Sequence, residues 1–62
     1  MITKAILKER GWVEKSGVMV LFSNPRMGWK EDGTLIIGYR EHPDKVKDIE
    51  TLNKLIQQYA NN

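Results

Sequence analysis

Arg26-Met27-Gly28-Trp29-Lys30 sets an indole between two cations, in a segment flanked by residues that favour turns. An aromatic face stacks on a nucleic-acid base or anchors a protein contact, and flanking Arg and Lys meet phosphate or carboxylate. The same residues also serve without any ligand, Trp29 closing the edge of a core while Arg26 and Lys30 stay in water. Lys15 and Arg40 extend a basic patch if their strands are neighbours, and both are also ordinary solvent-side residues of a strand.

Bond-breaking chemistry has little to work with. His42 is the one histidine, and only Glu41 and Asp44 lie near it in sequence as further metal ligands, short of a structural zinc set. Ser16 and Ser23 have no second imidazole to activate them. Gly11, Gly17, Gly28, Gly33 and Gly38 are scattered as turn and strand glycines and make no phosphate loop. With no cysteine, disulfides and thiolate metal sites are excluded. No catalytic residue, metal or cofactor is assigned, and His42 reads as a surface residue near a helix start.

The side chains that remain must be held by a small fold. The 62 residues are 40% apolar and 29% charged, the balance of one folded domain spanning 1–62 rather than a disordered chain. A domain of this size buries only about 60% of its extended-chain surface, so every large apolar side chain is needed in the core or at an interface. The longest apolar run, Val18-Met19-Val20-Leu21-Phe22, is far short of the roughly 20 residues of a membrane span. Lys4, Lys8, Glu9 and Arg10 interrupt what a secretory signal would keep apolar. The expectation is an unprocessed cytoplasmic protein with no membrane partner, to which the lack of cysteine is suited.

The formal charge of +2 conceals an asymmetry. Residues 1–30 set Lys4, Lys8, Arg10, Lys15, Arg26 and Lys30 against Glu9 and Glu14. Residues 31–62 set Arg40, Lys45, Lys47 and Lys54 against Glu31, Asp32, Glu41, Asp44, Asp48 and Glu50. The basic half is N-terminal, and such a division makes one surface attractive to phosphate or leaves a mixed solvated surface.

Thr3 predicts an N-cap for a short helix built by Lys4, Ala5 and Ile6. That helix ends at Arg10, with Gly11 at C′ and Trp12 folding back on Leu7 in a Schellman ending. Val13-Glu14-Lys15 reads as a strand turning on Ser16-Gly17 into Val18–Phe22. Ser23-Asn24-Pro25 breaks that strand, and Asp32-Gly33 opens another hairpin into Thr34–Arg40. Residues 26–31 fit either a short strand or a loop. Val46, Ile49, Leu52, Leu55, Ile56 and Tyr59 recur at helical spacing, and the helix begins either at Pro43 or after an Asp48 cap. Ala60-Asn61-Asn62 is expected to fray.

The predicted fold is α+β: a helix, a three- to four-stranded antiparallel meander, and a second helix. Alternation puts Val18, Val20 and Phe22 on one face and Met19 and Leu21 on the other, with Leu35, Ile37 and Tyr39 opposed to Ile36. If both helices cover one face, Met19, Leu21 and Ile36 are left for a partner, together with Trp29. If the helices divide between faces, no partner is required.

Three stretches resemble the HicA-like toxins, small mRNA interferases with a double-stranded-RNA-binding type fold. Lys4-Ala-Ile-Leu-Lys-Glu-Arg-Gly-Trp-Val13 is similar to the family's opening helix, and Phe22-Ser-Asn-Pro25 to the end of its second strand. The segment from His42 to Ala60 resembles its closing pattern of a His, a basic residue, and Thr-Leu opening the last helix. The family's catalytic His follows a Gly-Ser pair on the second strand, where this chain reads Ser16-Gly17-Val18-Met19-Val20 with no imidazole. The resemblance therefore implies a catalytically silent relative of a toxin–antitoxin component that keeps an RNA-binding surface. On that expectation Lys15, Arg26, Lys30 and Arg40 hold phosphates and Trp29 stacks on a base. The alternative is a protein-interaction module or homodimer using Met19, Leu21, Ile36 and Trp29, with no nucleic acid.

Overall fold

A computed structural model describes residues 1–60. Its elements are α1 (Lys4–Glu9), β1 (Val13–Lys15), β2 (Val18–Leu21), β3 (Met27–Trp29), β4 (Leu35–Ile37), β5 (Arg40–Glu41) and α2 (Ile49–Ala60). The strands pair antiparallel in chain order, so the layout is the α+β meander between two helices that the sequence predicts. Ala60, expected to fray, closes α2; Asn61 and Asn62 lie outside the described residues.

Local chemistry sets each boundary. The Thr3 hydroxyl accepts from the Ile6 N–H at 3.2 Å and caps α1. At the other end the Trp12 N–H donates to the Leu7 carbonyl (2.9 Å) and the Gly11 N–H to that of Lys8 (3.2 Å), the paired bonds of a Schellman ending. Ser16 and Gly17 both have positive φ, 52° and 80°, as a type I′ hairpin needs.

Residues 26–31 do form a strand over Met27–Trp29, at the centre of the sheet between β2 and β4. It turns through Glu31-Asp32-Gly33, where the Gly33 N–H donates to the Lys30 carbonyl and the Lys30 N–H to that of Thr34, both at 2.9 Å. Gly33 stands at φ +96°, and a Cβ there would lie 3.1–3.2 Å from the Lys45 and Lys47 side chains, so both backbone and space call for glycine.

The sheet has five strands because Thr34–Arg40 is not one strand. Gly38 at φ +63° turns the chain, and Gly38-Tyr39 becomes a two-residue hairpin loop between the paired Ile37 and Arg40. The start of α2 is settled by Asp48, whose carboxylate accepts the Thr51 N–H and hydroxyl, each at 2.9 Å. Val46, part of the predicted helical stripe, precedes the helix outside any regular element and is buried nonetheless.

Register decides the layers. Met19, Trp29 and Leu35 form one cross-strand row and Leu21, Met27 and Ile37 the next, all on a single face. Leu7 of α1 and Leu52 of α2 pack into the cluster these residues make with Ile2, Trp12 and Val46. Both helices therefore cover the same face. Burying each Leu or Met there contributes about 1.5–3 kcal/mol, which leaves few large side chains for any second core. Within this core the Trp29 Nε1–H donates to the Val46 carbonyl at 2.9 Å.

Trp29→Phe removes that donor and leaves the buried Val46 carbonyl unpaired, so urea denaturation should show a loss of about 1–3 kcal/mol. Tyr39→Ala, at a fully exposed position, should stay within about 0.5 kcal/mol of the parent. Equal midpoints for the two variants would remove the bond from the account.

Candidate functional site

With both helices on one side, the opposite face of the sheet is uncovered. The pairs Val13 with Val20, Lys15 with Val18, Val20 with Gly28, Gly28 with Ile36 and Ile36 with Glu41 place those residues on it. Alternation about Gly28 adds Arg26 and Lys30, and alternation beyond Val20 adds Phe22. Val18, Val20 and Ile36 are half-buried by their neighbours alone, while Val13 and Phe22 are 46% and 54% exposed.

Phe22 stands at one end of this face, just past β2. The Lys15 Nζ lies 5.4 Å and the Arg26 guanidinium carbon 5.1 Å from its ring centroid, both within cation–π range. Phe22 follows the last residue of β2 and Arg26 precedes the first of β3, so the two flank the same loop, while Lys15, paired with Val18, reaches along β2 to the ring.

Charge pairing differs between the two sides of the sheet. Glu14 shares the face of Met19 and meets Lys4 at 2.8 Å and Lys8 at 3.5 Å, tying α1 to β1. Lys4 also reaches Glu31 at 2.9 Å, and Lys45 reaches Asp32 at 3.3 Å. Among the described residues, Lys15, Arg26 and Lys30 take part in no ion pair. Two of them, Lys15 and Arg26, flank the exposed ring.

Several expected site residues lie elsewhere. Trp29 is 3% exposed with its indole bonded inside, so it offers no face to a base or a partner. Met19 is fully buried and Leu21 packs against the core, so neither belongs to a free interface. The helices chose their face, leaving Val18, Val20 and Ile36 open; of the four interface candidates only Ile36 is on the open side. Arg40 pairs with Ile37 and so shares the helix-covered face, apart from Lys15, Arg26 and Lys30. There it lines a cavity with His42 and Tyr59.

Phe22 was the residue the sequence reading missed as a site. Its signal was present in the alternation that groups it with Val18 and Val20. A second signal was Gly28, which alternates with Trp29: a glycine at the centre of a helix-covered face would leave a hole under the helix.

The His42 Nδ1 lies 3.0 Å from the Asp44 carbonyl oxygen and 3.3 Å from the Asp44 nitrogen. No group of three or more His, Cys, Asp or Glu is gathered among the described residues in a way that would hold a metal. No helix among them is long and apolar enough to cross a membrane. Compared with known proteins, the chain matches no family model, no curated protein and no solved structure.

Carboxylates that support the frame are acid-shifted by local donors. The Thr34 N–H, then the Thr34 hydroxyl and Lys45, hold Asp32 down from its ordinary 3.8 to about 2. Bonding to Lys4 lowers Glu14 and raises Lys4, and the Thr51 N–H lowers Asp48. A depressed carboxyl stabilises the fold above its unfolded value and loses that contribution as pH falls through the folded one. Acid titration should therefore begin to lower stability as pH falls through the ordinary Glu14 value of 4.5, and continue to lower it through 3.8 towards about 2. Asp32→Asn keeps an acceptor for Thr34 without titrating, and should flatten this slope; an unaltered slope would contradict the assignment.

Proposed function

We propose that the open sheet face binds single-stranded RNA as a non-catalytic module acting in the cytoplasm. The observation that carries this reading is the half-exposed Phe22 ring between Lys15 and Arg26, on a sheet face the helices leave bare. An aromatic ring supplies a stacking surface and adjacent cations meet the phosphates of the same nucleotides. A single strand is favoured over a duplex because base faces inside a duplex are covered by their neighbours, so a ring standing on a sheet can reach only unpaired bases. The resemblance of three segments to RNA-directed toxins supports the same polymer. Phe22 takes the stacking role expected of Trp29, and Lys15, Arg26 and Lys30 the phosphate role.

A protein-interaction or homodimer reading draws on Val13, Val18, Val20 and Ile36 of the same face. A packing that covers this face would take Lys15, Arg26 and Lys30 out of water, which costs free energy unless a carboxylate meets each, and Glu41 is the one acid that pairing places there.

Fluorescence anisotropy with a short single-stranded RNA tests the proposal. Affinity should fall with salt with a log–log slope of about −2, at about −0.7 for each of three phosphates. Phe22→Ala should weaken binding about 5- to 100-fold, the span of one base-stacking contact. A duplex of the same sequence should bind less tightly. No binding at low salt, or equal affinity for Phe22→Ala, would overturn the proposal; a mass that doubles with concentration and no RNA affinity would favour the homodimer.

A further inference from the structure

The loop leading from β2 to β3 and the turn between β4 and β5 meet beside Phe22. The Gly38 N–H donates to the Arg26 carbonyl at 2.7 Å, fastening the turn to the loop. The Ser23 hydroxyl donates to the Pro25 carbonyl at 2.7 Å, bracing the loop from within. Between them lies a cavity of about 360 Å³ lined by Ser23, Asn24, Pro25, Arg26, Gly38 and Tyr39, within the size range of small-ligand pockets.

Two side chains give this cavity a chemistry. Tyr39 is fully exposed, an aromatic ring standing in water at a turn where a polar residue would cost nothing. Asn24 carries a carboxamide, whose adjacent donor and acceptor match the edge of a base. Arg26 lines the cavity and also lies over the Phe22 ring, so a nucleotide stacked on Phe22 delivers its neighbour to the cavity mouth.

We infer that the cavity receives one unstacked base of the bound strand, stacked on Tyr39 and bonded at its edge by Asn24. This rests on the proposed binding of single-stranded RNA to the open face, and it adds a second base position one step from the first. A lone inorganic anion suits the cavity less well, because Arg26 is its sole cation and Tyr39 and Pro25 present apolar surface.

Homopolymeric RNA oligonucleotides of the four bases, and an abasic ribose-phosphate oligomer of equal length, test the inference without a register problem. Tyr39→Ala should weaken every base-bearing oligomer about tenfold and leave the abasic one unchanged. Asn24→Ala should alter the ranking among the four bases. If Phe22→Ala weakens binding while Tyr39→Ala and Asn24→Ala bind like the parent, the cavity holds no base and the inference fails with the open face intact. If the unmodified protein binds none of the oligomers, both fail.

Discussion

Val46 is bonded through both of its backbone groups to the β3–β4 hairpin. Its N–H donates to the Gly33 carbonyl at 2.7 Å, and its carbonyl accepts the Trp29 indole at 2.9 Å. Trp29 belongs to the central strand, so this pair of bonds fixes the segment before α2 over the middle of one sheet face. The Ile2 N–H donates to the Lys47 carbonyl at 3.2 Å, which brings the start of α1 to the same place. Both helices are thereby committed to one side, where Leu7, Leu52 and the Met19–Trp29–Leu35 row make the core. The described residues make two layers, helices over sheet, and leave the other side bare.

The bare face follows from that commitment, and so does its charge. On the helix side, Glu14, Glu31 and Asp32 draw Lys4, Lys8 and Lys45 into pairs. These pairs are exposed and screened by salt, so they orient elements more than they stabilise them. Among the described residues the cations of the bare face take part in no ion pair, and two of them are placed over Phe22. An exposed ring flanked by cations suits a ligand that brings both phosphate and a flat apolar base.

Much of the frame was legible because it is written in local chemistry. The Thr3 cap, the Gly11-Trp12 ending, the Ser16-Gly17 turn and the stripe of α2 each depend on a few adjacent residues and were readable from them. The split of Thr34–Arg40 was less so, since Gly38 is compatible with a strand interior until its φ is known. The choice of covered face was not legible from alternation alone, because Val18, Val20 and Ile36 are as apolar as Met19 and Leu21. What decided it was volume: Met19, Met27, Trp29 and Leu35 fill space beneath helices, whereas the opposite face has Gly28 at its centre. That one choice moved Trp29 from candidate ligand contact to core, and Phe22 from strand end to the middle of the candidate site.

Side-chain NMR of the protein titrated with single-stranded RNA tests the central claim most directly, because methyl and ring signals report one face of the sheet each. The account predicts shifts for the methyls of Val18, Val20 and Ile36 and for the Phe22 ring, with the Leu7, Leu35 and Leu52 methyls and the Trp29 indole N–H unmoved. Shifts concentrated on the helices, or a Trp29 indole freed from Val46 as RNA is added, would contradict it.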